Sequence, residues 1–180
     1  MILTYNEAYK KYKNDYGISK AISNKELYKI ARGIYSVKLN IDPIIIYSKK
    51  YPSAIVTMDS AFYYYKLTDY IPEKVYLSIA RHARPIKDEN VVISYIDDEV
   101  IDYGKIAVQI EGEEVQIYNK ERLLVELIRK KNQVPFDYYK EIINNYRKIS
   151  DELDMAKIEK YMALFKNEVN IGNALLREVF

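Results

Sequence analysis

Leu27-Tyr28-Lys29-Ile30-Ala31-Arg32-Gly33-Ile34-Tyr35-Ser36-Val37 decides how the chain is read. Residues 27–30 alternate apolar and polar side chains with the period of a strand. Ala31-Arg32-Gly33 supplies turn chemistry, and residues 34–37 form a second strand. The segment is therefore a two-stranded wing.

Two helices precede it. Residues 4–13 predict a helix with Thr4 as N-cap and Glu7 three residues on, a capping box. Ala8 and Tyr12 share one face, with Tyr5 and Tyr9 on the adjacent stripe. Asn14-Asp15-Tyr16-Gly17 reads as a turn. Residues 18–23 predict a short helix burying Ile18 and Ile22, ended by Asn24-Lys25-Glu26. Helix, turn, helix and wing within ~40 residues outline a winged helix-turn-helix, here assigned to residues 1–38.

Downstream, residues 39–56 read as a connection punctuated by Pro43 and Pro52, with Ile44-Ile45-Ile46 as a short buried segment. Thr57 opens a helix through about residue 67, with Asp59 at its positive end and Ala61, Tyr64 and Tyr65 on its inner stripe. Strands are expected at 74–80, with Val75, Leu77 and Ile79 on one side, and at 91–96. A hairpin over 105–110 and 114–118 flanks Glu111-Gly112-Glu113. The period then changes. Asn119 caps a helix in which Leu123/Leu127 and Leu124/Ile128 repeat. After Pro135 a second helix buries Tyr139, Ile142, Ile143 and Tyr146. Asp151 or Asp154 opens a third, with Ile158, Met162 and Phe165 inward, and the last segment carries Val169, Leu176 and Val179. The expected class is α+β. Residues 39–180 form one domain: a mixed, mostly antiparallel sheet over about 44–118, then a helical part over about 119–180.

Composition narrows the function. The 180 residues include no Cys and one His, which removes disulfides, thiolate metal sites and thiol catalysis and leaves His82 alone for any histidine chemistry. No apolar run approaches a membrane span and the start is unlike a signal peptide, so a cytoplasmic protein is expected. Residues 1–50 carry ten basic and four acidic groups, a net +6 within a chain of net +2. Such a head suits nucleic acid; a solvated lysine-rich surface has the same composition. The twenty Tyr are spread over both domains without a single stripe, which suits core packing with hydroxyls near the surface better than a base-stacking platform.

Three segments carry a resemblance: the wing over residues 27–36; Tyr51-Pro52-Ser53-Ala54-Ile55-Val56-Thr57-Met58-Asp59-Ser60-Ala61-Phe62-Tyr63-Tyr64 followed by Leu67-Thr68-Asp69 and Pro72; and Tyr118-Asn119-Lys120-Glu121-Arg122-Leu123-Leu124-Val125-Glu126-Leu127. In order and spacing they resemble the AbiE-type (AbiEi) antitoxins of bacterial type IV toxin–antitoxin systems, over most of residues 1–150. The resemblance implies a transcriptional regulator that represses its own operon through an N-terminal winged helix. It further implies a C-terminal domain that counteracts a nucleotidyltransferase-like toxin without a tight complex.

In such a head the recognition helix would present Ser19, Lys20 and Ser23 to base edges, with Asn24 and Lys25 at its end. Arg32 at the wing tip, flanked by Lys29 and Tyr35, would enter a minor groove or clamp a phosphate. Lys10, Lys11 and Lys13 would add phosphate contacts. For Tyr28 and Tyr35 core packing competes with DNA contact. One head makes few phosphate contacts, so paired heads on an inverted repeat in double-stranded DNA are expected, by a dimer or by cooperative loading. Arg81, His82 and Arg84 form a secondary basic surface or an ordinary loop. Asp97-Asp98-Glu99 reads as an exposed turn rather than a cation site. No catalytic residue, metal or cofactor is expected: Asp98, Asp102 and Lys105 only approximate a metal-dependent nuclease site, and no phosphate-cradling glycine pattern occurs. The alternatives are such a nucleic-acid enzyme and a pure protein-interaction module that binds the toxin directly.

Overall fold

A computed structural model describes residues 1–180. It is α+β: eight α-helices, a three-stranded sheet and a five-stranded mixed sheet. Residue contacts divide it into two units, residues 1–54 with 107–116, and residues 55–106 with 117–180.

In the first unit, β1 (Ile2–Thr4) leads directly into α1 (Tyr5–Tyr12). The capping box forms as the spacing requires: Glu7 N–H donates to Thr4 Oγ1, and Thr4 N–H donates to the Glu7 carboxylate at 2.7 Å. α2 (Asp15–Ser23) begins earlier than periodicity alone suggests. Asn14 is its N-cap rather than part of a free turn, since its side chain accepts from Gly17 N–H at 2.8 Å. A Cβ at Gly17 would stand 2.0 Å from the Tyr12 carbonyl oxygen, so only glycine allows this approach of α2 to the end of α1. β2 (Tyr28–Ala31) and β3 (Ile34–Ser36) pair antiparallel with an irregularity between Lys29 and Ala31. β1 pairs with the other edge of β3, giving the order β1-β3-β2. β1 is only three residues long, too few for an alternation to mark it in the sequence. The core gathers Leu3, Ala8, Ile18, Ala21, Leu27 and Tyr35, with Tyr12 and Ile22 packed against it.

Residues 43–50 correct the expectation of a connection: α3 (Pro43–Lys50) is a helix with Asp42 as its cap. The Asp42 carboxylate accepts from Ile44 N–H at 2.8 Å and Pro43 occupies the first turn, where its missing N–H costs nothing. α3 packs on β1 and β3. By residue contacts α3 belongs to the first unit, residues 1–54 with 107–116.

In the five-stranded sheet β4 (Ile55–Val56) lies between β5 (Val75–Ala80) and β8 (Glu113–Tyr118) in the order β6-β5-β4-β8-β7, where β6 is Val91–Ile96 and β7 is Lys105–Ile110. β4 is antiparallel to β5 and parallel to β8, and β5 and β6 are parallel in unbroken register from Val75–Val91 to Ala80–Ile96. The sheet is thus more parallel than expected. The connection 81–90 makes this possible: ten extended residues reach about 33 Å, more than the roughly 20 Å length of a six-residue strand.

α4 (Met58–Tyr64) follows β4 and buries Met58, Ser60, Ala61 and Phe62; of the expected inner stripe only Ala61 is fully enclosed. Thr57 holds the N-cap position without a side-chain cap bond. α5 (Lys120–Arg129), capped by Asn119, is buried from Glu121 to Ile128, charged residues included. α6 (Phe136–Lys148) buries the expected four residues, Tyr139, Ile142, Ile143 and Tyr146. α7 (Met155–Met162), opened by Asp154, buries Ile158 and Tyr161 rather than Met162 and Phe165. α8 (Glu168–Glu178) turns Ile171 and Leu175 inward, with Val179 just beyond its end, and leaves Val169 and Leu176 exposed. α5 touches both α7 and α8, so the inward face of each is chosen by that neighbour.

Candidate nucleic-acid interface

The basic residues of the first unit are held outward by the apolar ones beside them. On α2, Ile18 and Ala21 are buried while Ser19, Lys20 and Ser23 are exposed, as a helix of period 3.6 demands. Ser23 Oγ donates to the Ser19 carbonyl at 3.0 Å, a local bond that a competing acceptor can replace. Asn24 Nδ2 donates to Glu26 Oε1 at 3.2 Å. Lys25 takes a left-handed conformation, φ 61°, which ends the helix and starts the turn into β2. Arg32 sits on the turn between β2 and β3 and Lys29 on β2, both exposed.

Tyr35 differs from the rest of the expected set. It lies in the core cluster, because β3 is the central strand of its sheet. It is 8% exposed, the burial that core packing requires.

On α1, Lys10 and Lys11 are exposed, and Lys13 follows the helix in a left-handed conformation, φ 74°. The Tyr5 hydroxyl donates to Asp15 Oδ1 at 2.9 Å, which raises the Tyr5 phenol above its ordinary value and ties the starts of the two helices. Glu7 is held below the usual carboxylate range, first by the Thr4 N–H and then by Lys49, whose Nζ is 3.1 Å away. Two acidic groups of the first unit, Glu7 and Asp15, are thus already engaged inside it. Lys20, Lys25, Lys29 and Arg32 are exposed, and none of them is ion-paired to a carboxylate.

The secondary basic cluster lies in the second unit and is met by acid. Arg81 Nε is 3.0 Å from Asp97 Oδ1 and His82 Nδ1 is 3.4 Å from Asp98 Oδ2, all at exposed positions. Arg84 is exposed and outside these pairs. The parallel pairing of β5 and β6 brings the basic and acidic turns together at one end of the two strands, which separation in sequence hides. Lys105 likewise pairs with Asp102. Asp98 and Asp102 thus face His82 and Lys105, and no group of three or more His, Asp or Glu side chains converges on a common point.

No protein-family model matches the chain, and no curated protein sequence does. Among solved structures, the Rv2827c protein from Mycobacterium tuberculosis is similar in fold, with a TM-score of 0.70 over 99% of this chain and 72% of that one. Sequence identity is 11%, so the likeness is one of architecture.

Proposed function

We propose that this chain is a DNA-binding regulator of the AbiE-type antitoxin class, with residues 1–38 as a winged helix-turn-helix. It would repress its own operon from paired heads on an inverted repeat in double-stranded DNA, and counteract a nucleotidyltransferase-like toxin. The observation that carries this reading is the sorting of α2 and the wing. Ile18, Ala21 and Tyr35 build the core while Lys20, Lys25, Lys29 and Arg32 stand exposed on contiguous elements.

The other two resembling segments occupy structural positions that support it. Ser60 is buried and its Oγ accepts from Tyr76 N–H at 2.9 Å, joining α4 to β5. Residues 118–127 form the end of β8 and the buried helix α5. Both motifs are thus framework of the second unit.

The test is a mobility shift with the duplex upstream of the chain's own reading frame, at low salt. Binding is expected, weakened by Lys20→Ala and Arg32→Ala. No shift, or equal binding by the double variant, overturns the DNA reading. A tight complex with the product of the adjacent gene favours the protein-interaction module instead.

A further inference from the structure

The second unit holds a cleft of about 290 Å³ whose chemistry the DNA reading does not use. Six polar side chains line it: Asp59 on α4, Tyr76 on β5, Ser94 on β6, Lys130 after α5, Gln133, and Tyr138 on α6. Val92, Val134 and Pro135 add apolar wall. The size is at the low end of small-molecule sites.

Backbone strain sits at its edge. Met58 has φ 42°, left-handed for a residue with a full side chain, at the point where the chain presents Asp59. Burial pushes the Asp59 carboxyl above its ordinary range, against hydroxyl interactions with Tyr76 and Tyr138. Burial pushes the Lys130 ammonium below its ordinary value, against the attraction of Glu126. Lys130 Nζ donates to Ser94 Oγ at 3.2 Å. The Tyr138 hydroxyl is enclosed without a hydrogen bond of normal geometry, although it lies near enough to Asp59 to act on it. No ion pair joins Asp59 to Lys130. One cleft therefore contains an acid and a base, each partly stripped of water and neither neutralised by the other.

We propose that this cleft binds a small zwitterion, its ammonium set against Asp59 and the Tyr76 and Tyr138 hydroxyls, its anionic group against Lys130 and Ser94. A ligand with one charge would leave the opposite group of the protein desolvated and unpaired, and one with two like charges would meet repulsion at one end. The volume selects a ligand of amino-acid size. The inference is independent of the DNA reading, since every residue it uses lies in the second unit.

The experiment is isothermal titration calorimetry of the full chain. The probes are the standard α-amino acids and the ω-amino acids from β-alanine to 6-aminohexanoate. Each is compared with its N-acetyl form, which lacks the cation, and its methyl ester, which lacks the anion. At least one free amino acid is expected to bind, with both single-charge forms weaker by about tenfold or more. Asp59→Asn and Lys130→Gln should each weaken it by a similar factor. Should either variant fail to fold, Ser94→Ala and Tyr138→Phe probe the same cleft. Absence of heat from every probe, equal binding of the single-charge forms, or indifference to substitutions in the cleft overturns the inference.

Discussion

Arg122 Nη2 donates to Glu126 Oε1 at 2.8 Å, one turn apart on α5, with both side chains withdrawn from solvent. The second Glu126 oxygen accepts from Arg129 Nη1 at 2.7 Å. The Arg122 guanidinium also lies 5.1 Å from the ring centres of Tyr118 and Phe165 and reaches the Val100 carbonyl at 3.4 Å. A buried pair of this kind contributes little net stability over an apolar pair, yet removing one partner strands the other. Glu126→Ala is expected to destabilise the chain by about 3 to 5 kcal/mol in urea unfolding. Replacing both, Arg122→Met with Glu126→Leu, should cost far less than the single change.

The same arginine makes Gly104 irreplaceable. Gly104 has φ 81°, and a Cβ there would stand 2.5 Å from Arg122 Cβ and 3.2 Å from Asn119 Oδ1. The Arg122 atom is the root of a fully buried side chain and has nowhere to move. Gly104→Ala combines overpacking with backbone strain, and a loss of roughly 2 to 3 kcal/mol is expected in the same unfolding assay.

The capping box at α1 gives a smaller, pH-dependent effect. Thr4→Val removes the acceptor for Glu7 N–H and should cost about 1 kcal/mol. Glu7 is held below its ordinary value, so its contribution is fully present above the normal carboxylate range and fades as pH falls through that range and below. Thermal unfolding at pH 7 and pH 3 should show Glu7→Gln destabilised at the higher pH and near parity at the lower.

Asp59 has the opposite sign. Its folded value is raised, so at low pH folded and unfolded chains are both protonated and nothing is lost. As pH rises through the ordinary carboxylate range the unfolded chain ionises first, and stability falls until the folded carboxyl ionises too. Asp59→Asn should therefore be more stable than the parent at pH 7, and the advantage should vanish near pH 3. Improved stability together with weakened zwitterion binding would mark a residue kept for binding rather than for folding.

For the DNA reading, the slope of log affinity against log salt should fall by about one for each phosphate contact removed. Lys20→Ala and Arg32→Ala are expected to lower it. Tyr35→Phe keeps the core ring and should leave it unchanged, which separates groove contact from packing.

Local signals were legible wherever the chemistry is local. The Thr4 and Asn119 caps, the alternation of Val75, Leu77 and Ile79, the turn at Arg32-Gly33 and the four-residue stripe of α6 all follow from spacing along the chain. They survive because period, cap and turn act over a few residues. The sequence by itself also determined the net +6 of residues 1–50 and the α+β class.

Four features needed the tertiary structure. β1 exists because β3 offers an edge 30 residues away. α8 turns Ile171 and Leu175 inward because α5 and α7 lie on that side. Arg81 and His82 meet Asp97 and Asp98 because β5 and β6 run parallel. Asp59 and Lys130 share a cleft though 70 residues separate them. In each case the deciding partner is remote in sequence, and burial is set by what packs against a side chain rather than by the residue's own type or period.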